Sequence, residues 1–226
     1  MKSIKVKRIL AAVLAASMVM ASAVTVSASG SDVSDPGVSS SESSSSSDES
    51  SSDSGTVVTF AQTMSKAADA PVSVAGTNVR TSIAGVYAAQ KVRGVAVTTP
   101  LASVRTSLGL TGSQKAAIII YDTDEKKSFR AMESINAAAA AIGGTVVASL
   151  NIDLGAKESG KWVTLSSGTV GLVTGLPKDA DTSKEYCAIC VQPGGAITVL
   201  EDQDTNPATV TFEVQAGLGT YALTAK

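Results

Sequence analysis

The chain has 226 residues, a formal net charge of −2 and no histidine. Without histidine, no Ser-His-Asp or Cys-His pair forms and the commonest zinc ligand is missing. The charge is segregated: residues 1–30 hold four bases and no acids, residues 31–55 hold six acids and no bases, and residues 56–226 are left with 14 of each. A formally neutral body lacks the electrostatic footprint that nucleic acid or anionic lipid binding requires.

Residues 1–8 are basic, 9–20 are apolar, and small residues follow. This is the pattern of a secretory signal peptide, with cleavage expected after Ala28 and Ala23 as the alternative. Its apolar core is too short for a stable membrane span. No cysteine stands directly after it, so a lipoprotein anchor is not expected, nor is a tail anchor after the last strand. Residues 29–55 form an acidic serine tract, with 14 serines among positions 31–55. Such a composition cannot bury enough apolar surface to offset the entropy of ordering, and its like charges favour an extended tether.

Residues 56–143 read as a mixed α/β segment. A strand is expected at 57–60 and a helical turn or two at 61–68, with extended stretches at 72–75, 80–88 and 92–98. Pro100 suits the first turn of a short helix running to Leu108, with Thr99 as its N-cap. Residues 115–121 (Lys-Ala-Ala-Ile-Ile-Ile-Tyr) have the composition of a buried strand. An alanine-rich helix is expected over 126–142, with Phe129, Met132, Ile135 and Ala139 on its apolar face. Gly143-Gly144 supplies its left-handed cap. A strand over 145–152 follows, and the strand–helix–strand order is consistent with a parallel crossover, antiparallel placement being the alternative.

From residue 144 onward the chain reads as a β-sandwich domain. Strands are expected at 161–165 and 169–174, and then at 186–191 and 196–201 around Gln192-Pro193-Gly194-Gly195. Gly supplies the positive φ that such a tight reversal needs. In 209–215, Val210, Phe212 and Val214 share one face while Thr209, Thr211, Glu213 and Gln215 share the other, the period of a half-buried antiparallel strand. Tyr221 and Leu223 resume that alternation. The fold class expected is therefore α+β, mainly β: a C-terminal antiparallel β-sandwich preceded by a smaller mixed α/β segment.

The succession Asn151-Ile-Asp-Leu, Lys161-Trp-Val-Thr-Leu, Gly171-Leu-Val-Thr-Gly-Leu-Pro, Asp181-Thr-Ser-Lys-Glu-Tyr, Gly195-Ala-Ile-Thr-Val-Leu, Val210-Thr-Phe-Glu-Val and Gly219-Thr-Tyr-Ala-Leu carries a resemblance. It is similar to a β-sandwich module that closes secreted and surface proteins of Gram-positive bacteria. The likeness covers about residues 145–226, and its motifs are structural. This chain departs from the pattern with Pro-Gly-Gly at the hairpin and Gly-Leu-Gly before Thr220. The resemblance implies a spacer or interaction module in the extracellular space or cell envelope, and it carries over no catalytic residue.

Two acidic loops are the metal-ligand candidates. Ile118-Ile-Ile-Tyr-Asp122-Thr-Asp124 resembles the nucleophile loop of haloacid-dehalogenase-type phosphatases. In that family one carboxylate attacks phosphorus, the other shuttles a proton, and Mg²⁺ neutralises the phosphate. Glu125-Lys126 stands where the family has Gly-Thr, and the structural reading is that Asp122, Thr123 or Asp124 caps the following helix. Asp202-x-Asp204-x-Asn206, with Glu213 twelfth in the count from Asp202, matches most of an EF-hand calcium loop. Pro207 takes the place of its glycine, however, and the flanks are strands, which leaves a looser Ca²⁺ loop or an acidic hairpin tip.

Cys187-Ala-Ile-Cys190 spells C-x-x-C inside a strand. There i and i+3 face opposite sides about 10 Å apart at ~3.3 Å per residue, beyond disulfide reach. Cys187 is then expected beside Ile189 and Val191, and Cys190 beside Tyr186, both as packing residues. Trp162, the one tryptophan, is expected in the core. No catalytic residue and no cofactor is assigned. The function expected is that of a secreted or cell-envelope structural or adhesive module. A small Mg²⁺-dependent phosphohydrolase built on Asp122 and Asp124 is one alternative, and a glycan- or calcium-binding module the other. The sequence names no partner; a cell-wall or extracellular protein or glycan is the class that export allows.

Overall fold

The computed structural model describes residues 65–226. The signal peptide at 1–28, the serine tract at 29–55 and the strand expected at 57–60 lie outside the described residues, as does the first half of the helical turn expected at 61–68. The first two described residues of that turn are a strand instead, β1 (Ser65–Lys66).

Strand β7 (Thr145–Glu158) organises the rest. Its inward side chains are Ala148, Leu150, Ile152, Leu154 and Ala156, all buried in the main core. The other face carries Ser149, Asn151, Asp153, Gly155 and Lys157. A one-residue slip in pairing would exchange these two sets, so the register is set by which face is apolar. One edge of β7 pairs antiparallel with β6 (Lys115–Asp122), from Lys115↔Lys157 to Asp122↔Leu150. The opposite edge pairs first with β13 (Gly217–Ala225) along 145–154 and then with β8 (Lys161–Thr164) along 155–158. Beyond β6 the large sheet continues through β4 (Ala84–Ala88), parallel to β6, to β1. Beyond β13 it continues through β10 (Tyr186–Val191) to the edge strand β11 (Ile197–Glu201).

A second, antiparallel sheet of β12 (Thr209–Gln215), β9 (Thr169–Gly175) and β5 (Val95–Val97) packs on the inner face. Val170, Leu172, Val210, Phe212 and Val214 interleave there with Ile118, Ile120, Leu150, Ile152, Tyr221 and Leu223. A hairpin of β2 (Ala70–Val74) and β3 (Thr77–Thr81) covers the small sheet's far side, with Val72 and Val74 against Ala96 and Val173. The protein is therefore mainly β, of α+β class. The residues divided at 143/144 in the sequence reading meet in one large sheet and one core: β4 and β6 come from the first part, β7, β10 and β13 from the second.

The two helices correct several expectations. Helix α1 (Leu101–Ser107) begins after Pro100 and has no side-chain cap; its Val104, with Leu108 just after it, fills the core beside β6 and β9. Thr99 is not its N-cap, because Thr99 Oγ1 accepts the Gly171 N–H at 2.7 Å and ties the helix approach to β9 instead. Helix α2 (Phe129–Ala141) starts three residues later than expected. The Asp124 side chain accepts the N–H groups of Lys126 and Lys127, and its carbonyl accepts that of Ser128, which holds the chain in a turn first. Phe129 therefore lies on the first helical position and is 58% exposed, with the Arg130 guanidinium 5.5 Å from its ring centre. Met132, Ile135 and Ala139 form the buried stripe as expected, against Ile189, Val191 and Ala222.

At its far end, α2 closes as a Schellman motif. The Gly144 N–H donates to Ala139 O and the Gly143 N–H to Ala140 O, while Gly143 takes φ of 71°, a region costly for any residue with a Cβ. The helix lies over β10 and β13 as well as β7, and so carries the chain sideways rather than back along the sheet. It delivers β7 to the end of the sheet where β6 stopped. The β6–β7 pair is consequently antiparallel, and the parallel crossover is not formed.

Strands β12 and β13 follow one another yet belong to different sheets. Ala216 and Gly217, the latter at φ of 89°, make the crossing. It brings Phe212 over Tyr221, stacked with ring centres 5.7 Å apart, and the Tyr221 hydroxyl accepts the Gln215 N–H at 3.1 Å. Phe212 is fully buried. Phe212→Ala removes both ring stacking and inter-sheet packing, and is expected to lower unfolding free energy by about 3–5 kcal/mol. Denaturant titration measures this; a loss below 1 kcal/mol would place the junction outside the cooperative core.

Candidate functional site

Asp122 ends β6. Its carboxylate accepts the N–H groups of Gln90 (2.9 Å) and Lys91 (3.1 Å), pinning the loop that leaves β4. Asp124 is occupied by the turn before α2 and forms an exposed ion pair with Lys127 at 3.6 Å. Thr123, between them, is buried; its N–H donates to Ser149 O, while its hydroxyl has no partner among the described residues. The two carboxylates thus serve two separate pieces of backbone. Neither side chain caps α2 itself, whose N-cap Ser128 makes no side-chain bond.

The loop between β11 and β12 is a staircase of Asx turns. The Asp202 carboxylate accepts the Asp204 N–H, the Asp204 carboxylate accepts the Asn206 N–H, and the Asn206 side-chain oxygen Oδ1 accepts the Ala208 N–H. Asp202 also accepts the Thr211 N–H at 2.8 Å, and Asp204 accepts the hydroxyls of Thr209 (3.0 Å) and Thr211 (2.6 Å). Burial pushes the Asp202 carboxyl above its ordinary range, and the N–H groups of Thr211 and Asp204 pull it back. This loop flanks a cleft of about 270 Å³ that also includes Glu185, Glu201 and Lys184. Among the described residues, no three cysteine or carboxylate side chains converge closely enough to hold a metal ion. Asp204→Ala takes away the acceptor of the Thr211 hydroxyl and leaves the Thr209 hydroxyl only its longer bond to Asn206 O at 3.4 Å. It is expected to destabilise the fold by about 1–3 kcal/mol, equally with and without millimolar calcium, in denaturation followed by circular dichroism. Destabilisation seen only with calcium would instead make the loop an ion site.

Both thiols are free and buried, on the faces expected of them. Cys190 shares the core with Tyr186 and Ala188, while Ile189 and Val191, on the Cys187 face, pack under α2. Burial raises the pKa of each thiol, the nearby Lys226 charge offsetting part of this at Cys187 and a Tyr221 contact part of it at Cys190. Burial likewise pushes Tyr87 up to about 12, against a lowering by its hydrogen bond with Thr81, and raises Tyr221 further. In each case the unfolded chain loses its proton first, so the native state binds more protons and stability falls as pH rises. Stability is therefore expected to hold below about pH 8.5, where unfolded cysteine begins to ionise, and to decline progressively through pH 12. Neither thiol should react with a disulfide reagent in the native state, and two should react after unfolding. A fast native thiol would contradict the packing.

The feature that the sequence reading missed lies on the outer face of the large sheet, away from α2, across β1, β4, β6, β8 and the later residues of β7. Here a groove of about 280 Å³ has a floor of Ala84, Gly85, Val86, Ala117 and Ile119, with Trp162 on one side. Trp162 is half-buried and not in the core. The pairing Ala156↔Val163 turns Val163 inward, so Lys157↔Trp162 puts the indole outward. The indole lies against Gly155, where a Cβ would stand 2.5 Å from Trp162 Cζ2. Lys66, Lys115 and Lys157 line the same groove. No protein-family model matches the chain, no curated protein matches its sequence, and no solved structure matches its fold.

Proposed function

We propose that the chain is a non-catalytic structural or adhesive module, secreted or held in the cell envelope. The observation that carries this reading is the use made of its carboxylates. Asp122, Asp124, Asp202 and Asp204 each hold neighbouring backbone in place, in a chain without histidine. A nucleophile or proton shuttle needs a free lone pair aimed into a site, and these are engaged by N–H and O–H donors. The signal-peptide pattern at 1–28 supports export. The resemblance of residues 145–226 to the module that closes Gram-positive surface proteins supports the cell envelope as the place of action.

The purified protein is expected to co-sediment with isolated Gram-positive cell walls, and to release no phosphate from a chromogenic phosphomonoester with or without Mg²⁺. Protein remaining in the supernatant, or Mg²⁺-dependent release abolished by Asp122→Asn, would overturn the reading.

A further inference from the structure

We propose that the groove beside Trp162 binds an anionic glycan, one sugar ring lying against the indole with its carboxylate between Lys115 and Lys157. The inference rests on the adhesive, cell-envelope reading above and names its ligand class.

Three observations carry it. The first is electrostatic. Lys115 and Lys157 are direct partners across β6 and β7, and both project from the outer face, since Ala116 and Ala156 point inward. Like charges directly opposite on neighbouring strands destabilise a sheet. The ion pairs among the described residues join Asp69 to Arg80, Asp124 to Lys127 and Glu201 to Lys226; none relieves Lys115, Lys157 or Lys66. In a body of zero formal charge this is a local positive end, and a carboxylate placed between the two ammonium groups would reverse the repulsion.

The second observation is the row itself. β8 pairs on the other edge of β7, so Lys115, Lys157 and Trp162 stand side by side across three strands. Charge and aromatic platform are thus held by the sheet rather than by a loop, with the indole braced from behind by Gly155. The third is shape. The floor is apolar, made of Ala84, Gly85, Val86, Ala117 and Ile119, and the groove's volume of about 280 Å³ falls just below the usual range for drug-sized ligand pockets, which suits a single ring. A pyranose matches it: one C–H face for the indole, one carboxylate edge for the lysines, and open sheet surface on which a polymer can continue. A neutral sugar leaves the lysines unanswered, and an acidic peptide lacks a rigid apolar ring face for Trp162.

Trp162 is the only tryptophan, so its emission reports on the groove directly. Titration of the full-length protein with oligogalacturonate is expected to shift or quench that emission saturably, with affinity falling as salt rises. The fully methyl-esterified oligomer and inorganic phosphate should give no change. Lys115→Gln/Lys157→Gln should weaken oligogalacturonate binding at least tenfold while leaving the denaturation midpoint equal or higher, because the repelling pair is gone. A merely structural role for the lysines would lower the midpoint instead.

An absent response to oligogalacturonate, an equal response to the esterified oligomer, or an equal response to poly-glutamate would overturn the assignment. Cell-wall sedimentation separates the two levels. If the double variant still sediments like the parent, the groove assignment fails and the envelope-module reading stands. If the parent itself does not sediment, the wider reading fails whatever the fluorescence shows.

Discussion

The two-faced character of β7 is the constraint from which the rest of the architecture follows. Ala148, Leu150, Ile152, Leu154 and Ala156 must be covered, and no neighbouring strand in the same sheet can cover a face. The second sheet supplies that cover, and the chain reaches it several times: β5, β9 and β12 each leave the large sheet to form it. Each excursion requires a connection between layers, and these connections are where the polar side chains are occupied. Thr99 binds β9 from the start of α1; Asp202 and Asp204 shape the passage from β11 to β12. The acidic loops are thus a consequence of layering. Their carboxylates replace the ladder hydrogen bonds that backbone loses when it steps out of a sheet.

The last such step, from β12 to β13, has the greatest structural consequence. Gly217 turns the chain so that Val210, Phe212 and Val214 from one sheet meet Tyr221 and Leu223 from the other, within a few residues of sequence. Tyr221 then lies beneath Phe212 and opposite Cys190 on β10. Burial of two ionisable groups in one apolar site is tolerable only while both stay neutral, which ties the junction to neutral pH. The same site explains why Cys187 and Cys190 remain apart. The pleat of β10 sends one toward α2 and the other toward Tyr221, and β13 and β11 hold that pleat from both sides.

Local signals in the sequence were legible where one residue type answers one local demand. The alternation through Val210, Phe212 and Val214, the Gly143-Gly144 cap and the opposite faces of the two cysteines are fixed by periodicity or by φ, and all three stand. What was not legible depended on partners distant in sequence. Thr99 reads as an N-cap until Gly171 is brought beside it. Phe129 fits the apolar stripe of α2 until Asp124 delays the first turn. A strand–helix–strand order does not say whether the helix returns along the sheet or crosses it sideways, because that depends on where β10 and β13 offer an apolar face for Met132 and Ile135. The outer groove was hidden for the same reason. Lys115, Lys157 and Trp162 become a row only through two registers, and nothing in the spacing of 115 and 157 announces that they are opposite.

That row also bears on how the outer face is divided. Over β10 and β13 it is apolar, with Ile189, Val191 and Ala222, and α2 lies there. Toward β6 and β8 the face changes to Asn151, Asp153, Gly155 and Lys157, which a helix with an apolar stripe has no reason to cover. Thr220 and Asn151 mark the boundary, joined by a 2.8 Å hydrogen bond that satisfies two buried polar side chains without help from the helix. Past them, burial still raises the Asp153 carboxyl. Among the described residues, α2 covers one half of the outer face and no helix covers the other, while the inner face is packed along both halves. The half without the helix holds two lysines face to face beside an indole seated on Gly155, an arrangement whose like charges oppose the stability of the sheet.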